Sequence, residues 1–126
     1  MLEKLYLVNL SLIITHEIDS AYWNEWEMFN LPGGIQFFNI INFLLILILL
    51  YGFGLVVKKE KGGFRFSLIL STVGILAFII HGTFILTGYQ QFMLPVSLII
   101  LILCLIMSVW LFVSTMQNKM IFVKER

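Results

Sequence analysis

Four long apolar runs, at positions 5–21, 35–57, 64–87 and 94–116, constrain this chain more than any other feature of its sequence. Three of them reach the roughly 20 residues that a helix needs to cross a hydrocarbon core, while the first is shorter and less purely apolar. Backbone polar groups in lipid must be satisfied within their own segment, and runs this long and continuous do not suit barrel strands. The sequence therefore predicts an integral membrane protein with four helical spans.

The connections between the runs are short and carry the helix breakers Pro32, Gly33, Gly62, Gly88 and Pro95. Short connections join antiparallel neighbours, so we expect an all-α, antiparallel four-helix bundle that forms a single domain over positions 1–126. The first helix is expected to continue past its apolar run to about residue 29. We interpret that run as a span and not as a cleaved signal peptide, because the candidate cleavage sequence, at positions 19–21, has an acid where a small residue is needed.

The basic residues predict the orientation of the bundle. By the positive-inside rule, the end that carries them faces the cytoplasm, so both termini are expected on the cytoplasmic side of the cell (inner) membrane. All eight lie at that end of the predicted bundle: Lys4, Lys58, Lys59, Lys61, Arg65, Lys119, Lys124 and Arg126. The opposite end is acidic, with Glu17, Asp19, Glu25 and Glu27.

Polar side chains gather at the acidic end, at a depth where a span should be apolar. At 100° per residue, one face of the first helix carries a polar stripe, and His81 on the third helix lies at the same predicted depth as His16. Ionisable groups within spans are costly and usually functional. We therefore predict a polar pocket in the outer leaflet, built from His16, Asp19, Ser20, Trp23, Asn39, Asn42 and His81. Glu17 and Glu25 fall off the stripe and are expected to contact water.

The pocket residues suggest a metal site. His16, Asp19 and His81 form a ligand set of two imidazoles and one carboxylate, which zinc accepts while keeping one position open for water. Glu17, directly after His16, is a candidate general base beside that metal. The candidates for a catalytic role are thus His16, Asp19 and Glu17, and the residues alone do not decide whether the protein is an enzyme.

Three alternatives stay open. His16 and His81 suit the axial positions of a bis-histidine haem, although haem propionates prefer cations and every basic residue lies at the far end. His16 with Asp19 also suits a metal-free proton-transfer couple that acts on an apolar small molecule or lipid. Finally, the polar cluster suits an accessory or structural subunit of a homo-oligomer or a larger membrane complex. The expected surroundings are the lipid bilayer, and the few basic residues disfavour nucleic-acid binding.

The segment HEIDSAYWNEWEMFNLPGG, at positions 16–34, resembles small bacterial membrane proteins named for an HXXEE motif at the end of their first span. His16 matches the histidine of the motif, Asp19 stands at its first glutamate, and Ser20 replaces the second. If the paired acids matter in that family, Glu17 or Glu25 would have to substitute here. The resemblance implies a four-span membrane protein of unassigned function.

Overall fold

The structure is a computed structural model that describes residues 1–122. The described residues form five α-helices and a terminal 3-10 turn, with no strand among them. The bounds are α1 (Leu2–Tyr22), α2 (Glu25–Met28), α3 (Gly34–Val57), α4 (Lys61–Leu86) and α5 (Pro95–Gln117), followed by the turn at Lys119–Phe122. The four long helices begin and end within three residues of the four apolar runs, and the all-α part of the prediction is confirmed.

Three of these helices, α3, α4 and α5, are long and apolar enough to cross a membrane. They also leave many large apolar side chains exposed, as expected of surfaces that face lipid. α1 is of similar length but is interrupted by polar residues, among them Asn9, His16, Glu17 and Asp19. The structure thus supports a membrane location with three candidate spans, while a fourth span and the orientation stay predictions.

Two hydrogen bonds between α1 and α5 show the relative direction of these helices. Ser108 Oγ donates to Asn9 Oδ1 at 3.1 Å, and Ser97 Oγ donates to Asp19 Oδ1 at 3.0 Å. Because higher numbers on α1 meet lower numbers on α5, the two helices are antiparallel. α4 packs against both α3 and α5, which closes the bundle. We call the end that carries α2 the α2 end.

Small residues let the helices approach closely in the middle of the bundle. A Cβ atom added at Gly74 of α4 would collide with Ser108 Oγ on α5, so the two backbones are nearly in contact there. The neighbouring Ser67 and Ser71 give their hydroxyls to carbonyls of their own helix, four residues earlier. This interface is therefore tight, and these serine hydroxyls need no partner on another helix.

The structure departs from the expectation that the first helix continues to about residue 29. α1 ends at Tyr22, and Asn24 takes the left-handed conformation, with φ 54° and ψ 47°. Asparagine tolerates this conformation better than most residues because its short polar side chain can hydrogen-bond locally. The break redirects the chain into the four-residue α2, which begins at Glu25.

Candidate metal centre

Two histidines from different helices meet inside the α2 end of the bundle. His16 on α1 and His81 on α4 are each only 2% exposed. Their ring centroids lie 4.6 Å apart with an angle of 87° between the planes, an edge-to-face contact. The turn that ends α1 then brings a third group to the pair.

Glu25 is that third group. Its carboxylate Oε1 lies 3.4 Å from His81 Nε2, and its side chain is 12% exposed. One ligand atom each from His16, Glu25 and His81 can be chosen so that all three lie within 4.8 Å of one another. The structure therefore assembles two imidazoles and one carboxylate, a donor set that binds transition metals.

The tautomer of His81 suits a metal ligand. Its Nδ1–H donates to the carbonyl oxygen of Ala77 at 2.7 Å, because a carbonyl can only accept. In the neutral ring Nε2 then carries a lone pair, and it faces the oxygen of Glu25, which is another acceptor. Ligating histidines are typically held by such a bond from the other ring nitrogen to a carbonyl or carboxylate.

Several buried polar atoms around the two histidines and Glu25 lack a hydrogen-bond partner. Buried atoms without a hydrogen-bond partner among the described residues include His16 Nδ1, Ser20 Oγ, Glu25 Oε2 and His81 Nε2. A proton on His81 Nε2 would turn its contact with Glu25 into an ion pair but would leave His16 Nδ1 without a partner. A cation between the three side chains would serve all of them, so the cluster could hold a metal ion in place of the His81–Glu25 ion pair.

Glu25 carries its charge at neutral pH. Burial raises the pKa of its carboxyl, but a hydrogen bond from His81 protonated at Nε2, together with Ser20 and His16, favours the charged form more strongly, so that in this ion-paired state the pKa lies below its ordinary value. A metal ligand must be deprotonated. The Glu25 carboxylate meets this requirement, and a metal ion would displace the proton from His81 Nε2.

Comparison with protein families gives one match. The model of DUF6713, a family of unknown function, matches residues 2–118. The chain belongs to the DUF6713 family. The match includes His16, Glu25 and His81 and agrees with the expectation of a protein of unassigned function. No curated protein and no solved structure matches the chain.

The candidate group in the DUF6713 chain differs from the predicted ligand set in one member. Asp19 was expected to join His16 and His81, but its Oδ1 accepts a hydrogen bond from Ser97 on α5, and Glu25 is the acid whose oxygen lies near the two histidines. Glu25 was expected in water because a continuous helix would carry it to the opposite face. The left-handed turn at Asn24 breaks that periodicity and brings the carboxylate inward. An asparagine directly after the aromatic end of a helix is the signal that could have indicated it.

The other predicted pocket residues divide between the bundle interior and its surface. Ser20 is fully buried beside Glu25, and Trp23 is half-buried. Glu17 is half-buried, interacts with Glu25 and His81, and faces Asn42. Asn39 is exposed on the outside of α3, so the structure does not bring it to the metal centre.

Phe92 is the neighbour that sequence reasoning missed. It lies in the connection between α4 and α5, yet its side chain is completely buried. Its ring centroid lies 4.3 Å from that of His81 and 5.9 Å from that of His16. A single phenylalanine in a connection carries no periodic pattern, and no sequence signal could have placed it here.

The geometry does not suit a bis-histidine haem. Axial histidines stand on opposite faces of the macrocycle, so a porphyrin plane has to pass between their rings. The rings of His16 and His81 are in direct edge-to-face contact, and every described Lys or Arg lies in a segment at the far end of the bundle. A compact metal ion fits these donors, and a macrocycle does not.

Proposed function

We propose that this DUF6713 protein is a small multi-pass membrane protein that binds one divalent transition-metal ion through His16, Glu25 and His81. The observation that carries the proposal is the convergence of their ligand atoms within 4.8 Å. Zinc ligands at about 2.0–2.2 Å in a tetrahedron are separated by about 3.4 Å. The ligand atoms therefore need to approach one another by at most about 1.4 Å, which rotations of buried side chains can supply.

Zinc is the first choice of metal. Two histidines and one glutamate hold zinc in catalytic sites and leave a fourth position for water or another small ligand. The same donors also hold non-haem iron(II), which elemental analysis distinguishes from zinc. An open position is what would let such a centre act on a small or lipidic molecule. The catalytic roles suggested for His16, Asp19 and Glu17 stay predictions.

The proposal includes four spans, with the metal centre in the outer leaflet and both termini inside. α1 buries the polar side chains of Asn9 and His16 beside its apolar core residues, whereas Leu7, Val8 and Ile18 are 46–67% exposed. Buried polar groups together with large exposed apolar ones suit a helix that faces lipid. The placement of all eight basic residues supports the orientation.

Cysteine labelling tests this orientation in intact cells. In a Cys104→Ser background, which removes the native thiol, Asn30→Cys should react with a membrane-impermeant maleimide. Gly62→Cys should react only after the cells are permeabilised. The opposite pattern would invert the proposed topology and place the metal centre in the inner leaflet.

A structural or accessory role is the second candidate. Two interhelical hydrogen bonds support it, Ser97 to Asp19 and Ser108 to Asn9, because they fasten α1 to α5 without any ligand. On this hypothesis the histidines would only help to hold the helices together. It predicts a stable partner in the membrane and no stoichiometric metal.

Elemental analysis decides between these functions. The protein should be purified in detergent without chelators, beside the His16→Ala/His81→Ala double variant. We expect about one equivalent of zinc or iron in the wild type and none in the variant, with equal helicity by circular dichroism. Equal, sub-stoichiometric metal in both proteins would remove the metal function and favour the structural one.

A further inference from the structure

A cavity of about 190 Å³ opens at the end of the bundle opposite the metal centre. It lies between the first residues of α1, the last turn of α3 and the terminal turn, and its lining includes Leu2, Val56 and Phe122, which are at most 7% exposed. A ring contact between Phe122 and Phe64 of α4, with centroids 6.2 Å apart, holds the terminal turn against the bundle. The inner wall of the cavity is therefore apolar and packed into the protein. The volume is below the roughly 300–1,000 Å³ of pockets that enclose a whole drug-sized molecule, so the cavity suits one part of a larger ligand.

The open side of the cavity is charged. Lys59 and Glu3 line it, and both are exposed. Their neighbours in the chain are Lys58 and Lys4. None of these three lysine side chains forms an ion pair or a hydrogen bond among the described residues. This end of the described bundle holds six basic residues and only two acidic ones, so the surroundings of the cavity carry a net positive charge.

An apolar wall beside an unpaired cation matches the chemistry of a phospholipid. α3 is a candidate span that ends at Val57, directly before Lys58 and Lys59, so the cavity lies where a membrane helix would leave the hydrocarbon. There the apolar wall can contact the glycerol backbone and the first carbons of an acyl chain, while the ammonium group attracts the phosphate. A free phosphate ion would use only the cation. Basic pockets between membrane helices on the cytoplasmic side are known to bind the headgroups of anionic lipids.

We propose that this cavity binds the headgroup of one anionic phospholipid, with its phosphate near Lys59 and its glycerol backbone against the apolar wall. The net positive charge selects an anionic lipid, because the lysines repel the ammonium group of a zwitterionic headgroup. The positive-inside rule accounts for the basic residues but requires no cavity beside them. The site shares no residue with the metal centre and depends only on the membrane location of the helices.

Titration of the delipidated wild type in a neutral detergent tests the proposal. The probes are phosphatidylglycerol and phosphatidylcholine with the same short acyl chains, and native mass spectrometry counts the bound lipid. We expect one phosphatidylglycerol to bind at least about tenfold more tightly than phosphatidylcholine, because each nearby basic residue adds about fivefold. Glycerol 3-phosphate, which lacks acyl chains, should not compete at equal concentration. Equal binding of the two lipids, or competition by glycerol 3-phosphate, would overturn the proposal.

Lys59→Asn shows whether the charge at the cavity matters. Asparagine accepts the left-handed backbone of this residue, whose φ is 58°, so the turn is kept while the cation is lost. The affinity for phosphatidylglycerol should fall about fivefold. Arg65→Gln is the matched control, because it removes one exposed positive charge at the same end but does not line the cavity. It should bind the lipid like the wild type, and equal losses in the two variants would mean that only the overall charge matters, against the proposal.

Ile121→Trp tests the cavity without any change of charge. Ile121 lines the cavity and is 39% exposed, so a larger side chain can be placed there without entering the core. Its indole should fill the space and weaken the binding of phosphatidylglycerol at least about fivefold, whereas Met120→Trp, at an exposed neighbouring position outside the cavity, should not. An unchanged affinity in Ile121→Trp would show that the lipid does not enter the cavity and would contradict the proposal. These titrations contain no metal, so their failure would leave the metal centre untouched.

Discussion

The two halves of the bundle treat their buried polar side chains differently. Away from the α2 end, Tyr6 donates to the Leu49 carbonyl at 2.8 Å, and the serines of α4 bond to their own helix. Asn9 Nδ2 and Thr115 Oγ1 are the exceptions there. At the α2 end, six residues each keep a buried atom without a partner: His16, Asp19, Ser20, Trp23, Glu25 and His81. Away from the α2 end most buried polar groups are therefore satisfied within the protein, whereas the α2 end gathers buried polar atoms that lack a partner.

The largest difference between the two halves is expected when Glu25 is substituted and zinc affinity is measured. Glu25→Gln keeps the size of the side chain but removes the anionic ligand, so the affinity for zinc should fall at least about 100-fold, the upper end of the loss seen when only a partner of a ligand is removed. Glu27→Gln, two residues along the same short α2 but exposed, should bind zinc like the wild type. Competition with a chromogenic zinc chelator measures both variants. Equal losses in the two would mean that only the general acidity of this end matters.

The next effect concerns the packed middle of the bundle. Gly74→Ala places a methyl group against Ser108 and should destabilise the protein by about 1–3 kcal/mol through overpacking. Gly82→Ala lies on the same helix with nothing within 4 Å, so it should be neutral or stabilising by up to about 1 kcal/mol. Unfolding of the detergent-solubilised protein in SDS gives both values. A similar stability of the two variants would show that α4 and α5 are not in close contact.

The smallest effect is expected at Tyr6. Tyr6→Phe removes one buried hydrogen bond, so we expect a loss of about 1 kcal/mol in the free energy of unfolding. Zinc binding should be unchanged because Tyr6 lies in the half that holds no ligand. A clear change in zinc affinity for this variant would show that the two halves are coupled, and would contradict the contrast between the α2 end and the rest of the bundle.

The long helices could be predicted from the sequence because each is indicated by a continuous stretch of neighbouring residues. Continuous apolar runs bounded by glycine and proline indicate helices of membrane length, and the four helices follow them closely. The proximity of His16 and His81 was predicted from their similar distances, in residues, to the ends of their helices. This comparison works because short connections keep those helix ends at the same level. The fourth span and the orientation follow from composition and charge, and labelling is the test of both.

The composition of the metal centre did not follow in full from the sequence. The position of Glu25 beside the two histidines depends on a single left-handed residue, Asn24, which ends the regular spacing used to place side chains around the helix. Asn39 was expected in the pocket because it shares a face with Asn42, but the contacts of α3 leave Asn39 on the surface and only Asn42 near Glu17. Rotation of a helix about its axis is set by packing with its neighbours, which a single sequence does not reveal.

The most direct test of the metal centre is an anomalous difference map, recorded at the zinc edge from crystals grown with zinc. We expect one peak bounded by a ring nitrogen of His16, Nε2 of His81 and a carboxylate oxygen of Glu25, each at about 2.0–2.2 Å. A peak that includes Asp19 in place of Glu25, or no peak between the two histidines, would contradict the proposed metal centre.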